Sequence, residues 1–119
     1  MKIAVAGLGY VGVSNSLLLA KQHQVVAFDI DQNKIDLLNK GISPVRDDVA
    51  SDYLKNESLN LKATLDSSEA VKDADLLICE ATFLRGQIRE GNNHLFAYEA
   101  GKIAKNANVD KLLLTHFWP

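Results

Sequence analysis

The sequence predicts an α/β fold, an open parallel sheet of about five strands in the order 3-2-1-4-5 with helices on both faces. Three observations carry this. The stretch Ala4-Val5-Ala6-Gly7-Leu8-Gly9-Tyr10-Val11-Gly12 is an apolar strand that runs into three glycines at G-x-G-x-x-G spacing and then into a helix. A second apolar run, Val25-Val26-Ala27-Phe28, ends on an acid, Asp29. A third, Leu76-Leu77-Ile78-Cys79, is continuously apolar, as a parallel strand buried on both faces should be. Strands alternating with helices through right-handed crossovers then give the strand order.

In chain order, Ile3, Val5 and their alanine neighbours make the first strand. The glycines have separate tasks: Gly7 makes the tight turn, Gly9 lets backbone approach a diphosphate, and Gly12 packs helix on strand. Tyr10 and Val11 stand between them, where the first amides of the helix point at an anion, and join Gly7, Gly9 and Gly12 as cofactor-binding candidates. That helix is predicted from Tyr10 to Lys21, with Val13, Leu17 and Ala20 inward and Ser14, Lys21 and Gln22 in water. His23 follows in a polar turn and is read as solvated, with no role.

Asp29 sits where a carboxylate would hold a ribose hydroxyl. The alternative is a helix N-cap, for which Asp31 is better placed, just before Gln32-Asn33-Lys34-Ile35. The second helix is expected from Gln32 to Lys40, with Ile35 and Leu38 inward and Gly41 as its stop. Lys34, one turn beyond Asp29, is either a ribose or phosphate contact or a solvated lysine.

A short acidic helix from Asp47 to Lys55 is expected to turn Val49, Tyr53 and Leu54 toward the sheet edge. Leu61 to Leu65 alternates like a half-exposed edge strand, and Asp66-Ser67-Ser68-Glu69 opens a short helix that ends at Asp73. After the Leu76 to Cys79 strand, residues Glu80 to Asn92 form a long charged connection. The next helix, Asn93 to Asn106, has Phe96, Ala100, Ile103 and Ala107 on one stripe, and Ala97, Gly101 and Ala104 beside it to let it lie close on the sheet. Lys111 to Thr115 is the fifth strand.

The 119 residues suffice for one domain with a core of its own. A net charge of -2 leaves no electrostatic footprint for nucleic acid, and no apolar run approaches the length of a membrane span. The single cysteine and a first strand that begins at Met1-Lys2-Ile3 point to the reducing cytoplasm. An oligomer would form through an exposed sheet edge or the apolar C-terminus.

Residues 1 to about 75 resemble the amino-terminal part of UDP-glucose 6-dehydrogenase. Met1 to Gly12, Phe28-Asp29-Ile30, Leu37 to Pro44 and Lys62-Ala63-Thr64-Leu65-Asp66 carry the resemblance. It implies a Rossmann-like domain that binds NAD rather than NADP, with the glycine turn on the diphosphate and Asp29 and Lys34 on the adenosine ribose. After the fourth strand that family has a Thr-Pro-Thr loop where this chain has Glu80-Ala81-Thr82-Phe83. The family's catalytic cysteine belongs to a sugar-nucleotide domain without counterpart here, and Cys79 reads as core.

From about Ala74 the sequence is similar instead to the C-terminal end of a metallo-β-lactamase-fold hydrolase, through Ala74 to Phe83, Asn93-His94-Leu95, Glu99 to Ala104 and Leu112 to Phe117. That resemblance would make His116 a metal ligand and His94 a neighbour of the active site. Two histidines, even with Glu80, fall short of the usual zinc ligand set, so no metal is expected, and the alternative is that His94 begins a helix and His116 ends a strand. The expectation is one dinucleotide-binding domain with a seam near residues 74–80, a natural or designed chimera. Three functions stay open: an NAD-binding module without a complete catalytic site, an oxidoreductase that needs another chain, and a folded fusion with no activity.

Overall fold

The computed structural model describes residues 1–80 and 97–115. In chain order the elements are β1 (Lys2–Ala6), α1 (Tyr10–Leu19), β2 (Gln24–Phe28), α2 (Gln32–Asn39), α3 (Asp48–Asn56), β3 (Leu61–Thr64), α4 (Ser67–Val71), β4 (Leu76–Glu80), α5 (Ala97–Asn106) and β5 (Lys111–Thr115). The strands form one parallel sheet ordered β3-β2-β1-β4-β5, as the sequence predicts. The last strand is in register with the fourth, from Leu76 opposite Lys111 to Glu80 opposite Thr115.

Side chains of a strand alternate between its two faces, and the core divides accordingly. Ile3, Val5, Val25, Ala27, Ala63 and Ile78 meet α1, α2 and α3 through Leu17, Leu38 and Ala50. Ala4, Ala6, Val26, Leu77 and Cys79 meet α4 and α5 through Ala70, Ala100 and Ala104. The central strands β1 and β4 are buried almost throughout, while the edge strand β5 is half exposed. Among the described residues no helix is long and apolar enough to cross a membrane.

Local chemistry sets most helix ends. Asp31, Asp47 and Asp66 each accept two backbone N–H groups at the starts of α2, α3 and α4. Gly41, at φ +75°, ends α2: its own N–H donates to the Leu38 carbonyl and that of Ile42 to the Leu37 carbonyl. Asn108 ends α5 in the same way at φ 53°, with the Val109 N–H on the Ala104 carbonyl. The open edge of β3 is closed by a side chain. Asn39 accepts from the Ala63 N–H at 2.8 Å and donates to the Ala63 carbonyl at 2.9 Å, as a neighbouring strand would.

Four details differ from the sequence expectation. Val49 is exposed, because α3 is phased to turn Ala50, Tyr53 and Leu54, at i, i+3 and i+4, into the core cluster beside α1. His23 is half-buried and its Nδ1 is shielded without a partner among the described residues, in a turn held to the segment before β3 by the Asn60 N–H on the Ala20 carbonyl at 2.9 Å. Helix α1 stops at Leu19, and Ala20 caps it. Gly101 does not bring α5 close to the sheet, since an added Cβ would have no atom within 4 Å. Ala100 and Ala104 hold the close face instead.

Candidate functional site

β1 is hydrogen-bonded to β2 on one side and to β4 on the other, so the chain leaves β1 at the point where strand order reverses. Crevices at the carboxyl ends of strands form at such points. Here the crevice is a cleft of about 220 Å³. Val5 and Ala6 of β1, the glycine turn with Tyr10 and Val11, Asn15 of α1, Ile78 and Glu80 of β4, and Thr115 of β5 line it.

The three glycines are distinct in geometry. Gly7 has φ +93°, a conformation costly for any side chain, and its N–H donates to the Phe28 carbonyl at 2.8 Å. Gly9 is in extended backbone, and a Cβ there would meet nothing within 4 Å. That face of the turn is open to a ligand. Gly12 has no room at all, since a Cβ would fall 1.8 Å from the Gly7 carbonyl oxygen. The expected packing of helix on strand is thus a packing of α1 on the turn itself.

α1 differs from its neighbours at its start. No side chain caps it and no acid stands in its first turn, whereas α2, α3 and α4 each begin on an aspartate. Gly9 supplies only its carbonyl, to the Val13 N–H at 2.9 Å. The first amides of α1, on Tyr10, Val11 and Gly12, are left for an external anion, and the helix dipole favours one there. Ser16 is fully buried within α1 and is satisfied internally by donating to the Gly12 carbonyl at 2.7 Å.

Asp29 is half-buried just past β2. Its Oδ2 accepts from the Leu8 N–H at 2.7 Å and its Oδ1 from the Asp31 N–H at 2.9 Å. The carboxylate thus braces the glycine turn and keeps acceptor capacity for a further donor. Asp31, not Asp29, caps α2, and the Lys34 N–H is one of its donors at 3.4 Å. Sequence reasoning missed the brace, which joins residues 21 apart and leaves no periodic trace.

Cys79 is fully buried and its thiol is pushed up to about 12, first by burial and then by the charges of Glu80 and Glu99. Such a thiol is inert, in agreement with its reading as core. His94, His116 and the segment Ala81 to Phe83 lie outside the described residues.

A family model described as "UDP-glucose/GDP-mannose dehydrogenase family, NAD binding domain" matches residues 1–115, and so runs through the seam expected near residues 74–80. The UDP-glucose 6-dehydrogenase of Streptococcus pneumoniae is 42% identical over 78 residues, 66% of this chain and 20% of that protein. The corresponding enzyme of Bacillus subtilis is 27% identical over 118 residues, 97% of this chain and 27% of that protein. Among solved structures, the UDP-D-ManNAc dehydrogenase of Pyrococcus horikoshii superimposes with a TM-score of 0.69 at 30% identity, covering 96% of this chain and 28% of that one. The chain therefore spans about a fifth to a quarter of the length of these relatives. With the glycine turn, the uncapped helix and the acid after β2 in one cleft, the chain belongs to the UDP-glucose/GDP-mannose dehydrogenase family, as its NAD-binding domain.

Proposed function

We propose that these residues form one folding unit that binds NAD(H) in the cleft between β1 and β4, and that the unit lacks a complete catalytic site of its own. The diphosphate lies over Gly9 against the amides of Tyr10, Val11 and Gly12, with Gly7 setting the turn. Asp29 accepts from the adenosine ribose while bracing Leu8, and Lys34 stands beside it in the first turn of α2. NAD, when bound, supplies a hydride acceptor; the residues of this chain bind and orient it. The observation that carries this reading is the pairing of an uncapped α1 with an open face at Gly9.

The reaction of the whole protein is proposed from its relatives' names: oxidation of a nucleotide sugar such as UDP-glucose or GDP-mannose, completed by sequence beyond this unit or by another chain. Calorimetric titration of NAD tests the binding reading. The expected result is saturable, weak binding, lost when Gly9 is replaced by Ala; a folded chain that binds no NAD would overturn it.

A second reading, a fusion whose tail descends from another fold, is favoured by the extent of the match to the Streptococcus pneumoniae enzyme, which takes in 78 residues, 66% of this chain. It stands second because the family model extends to residue 115.

A further inference from the structure

Asn15 brings a polar side chain from the second turn of α1 to the wall of the cleft. Its helix buries Val13, Ser16 and Leu17 against the core, and the opposite stripe, at i−4, i and i+3, is Val11, Asn15 and Leu18. Val11 and Leu18 are exposed, while Asn15 between them is half-buried and joins Val11 in lining the cleft. An asparagine inside a helix is a weak choice, because its amide competes for backbone groups. Here the amide is not spent that way. Among the described residues it makes no hydrogen bond, whereas the neighbouring Ser16 donates to the Gly12 carbonyl at 2.7 Å. The donors and the acceptor of this amide are left for a ligand.

We propose that Asn15 is a specificity determinant of the cleft, a side-chain donor to the phosphate end of a bound dinucleotide. The proposal rests on the reading that the cleft takes a dinucleotide. Helix geometry aims the side chain. Residues at i and i+4 stack one above the other, about 5–6 Å apart at Cβ, so Asn15 stands one turn behind Val11. Each Cα–Cβ bond tilts toward the helix N-terminus, which carries the amide back toward the turn that holds the Val11 and Gly12 N–H groups. A phosphate taken by those N–H groups meets a further donor on the same wall. That bond is charge-assisted by the ligand, and a ligand without phosphate gains nothing from it. Adenosine and its diphosphate are thereby told apart at a point remote in sequence from Asp29.

The test is titration of the full chain with NAD, ADP and adenosine, followed by NMR, which reads weak as well as tight binding. Asn15→Leu keeps the size and the helix but removes the amide, and Asn15→Asp keeps the shape but replaces the donor by a charge. Asn15→Leu is expected to weaken NAD and ADP by about tenfold, to leave adenosine unchanged and to melt no lower than wild type. Asn15→Asp should weaken both phosphates further, and added salt should narrow its deficit. Asn15→Ala gives the pattern of Asn15→Leu, and serves if leucine crowds the cleft. Unchanged NAD and ADP affinity in folded Asn15→Leu and Asn15→Ala, or an equal loss for adenosine, overturns the proposal while leaving the dinucleotide reading in place. If folded wild type binds neither NAD nor ADP, the dinucleotide reading falls and the proposal with it.

Discussion

The Asp29 carboxylate accepts from the Leu8 N–H at 2.7 Å, tying the end of β2 to the middle of the glycine turn. Leu8 is fully buried in the intact chain, so its amide loses its protein acceptor when that carboxylate is removed. Asp29→Ala is therefore expected to lower stability by about 1–3 kcal/mol and to weaken NAD by a similar amount. Wild type should also bind NADP more weakly than NAD, because the carboxylate repels a 2′-phosphate, and the gap should narrow in the variant. Melting curves and paired titrations measure both; a variant as stable as wild type would show that the turn does not lean on Asp29.

Gly9 and Gly12 separate folding from binding. At Gly12 a methyl group would run into the Gly7 carbonyl at 1.8 Å, a backbone clash that no rotamer relieves. Gly12→Ala should destabilise the chain by about 3 kcal/mol, the upper end of the usual cost of overpacking. Gly9→Ala meets open space in an allowed conformation, so its melting temperature should stay near that of wild type while NAD affinity drops. Equal destabilisation by the two substitutions would contradict this division.

Cys79 should resist alkylation in the folded chain at mildly alkaline pH and react fully once denatured. Burial pushes its thiol up to about 12, so between the ordinary thiol range and that value the unfolded chain loses a proton that the native chain keeps. Stability should accordingly decline as pH rises from about 9 toward 12, by up to what one proton contributes. Cys79→Ser should abolish that part of the decline, and rapid labelling of the native protein would contradict the burial.

The isolated chain should not oxidise UDP-glucose with NAD. Capture of an aldehyde on the way to an acid needs an exposed, activated thiolate, and the chain's one cysteine is fully buried. NADH absorbance with UDP-glucose in excess measures this. Sustained turnover lost in Cys79→Ser would overturn the assignment of that residue to the core.

Much of this fold was legible because its signals are local. Apolar runs at Val25 to Phe28 and Leu76 to Cys79, glycines at fixed spacing, and aspartates just before Gln32 and Ser67 each act within a few residues. What escaped the sequence depends on distant partners. The phase of α3, which turns Val49 out and Ala50 in, is set by the core cluster it shares with α1. The closeness of Gly12 to Gly7 and the brace from Asp29 to Leu8 arise only once strand, turn and helix are assembled. The change of resemblance expected near Ala74 left no mark on the sheet: the family model runs on to residue 115, and β5 pairs with β4 from Leu76 opposite Lys111 to Glu80 opposite Thr115.

The side-chain amide of Asn39 on Ala63 has a consequence for how the molecule meets copies of itself. An incoming strand that approaches β3 finds the N–H and carbonyl of Ala63 already engaged, and would have to displace both bonds before gaining any. A single polar residue at the end of α2 thus works against the edge-to-edge association to which sheets are prone. Asn39→Ala leaves the cleft untouched, yet it is expected to raise the tendency to self-associate on concentration or gentle heating, which light scattering would report.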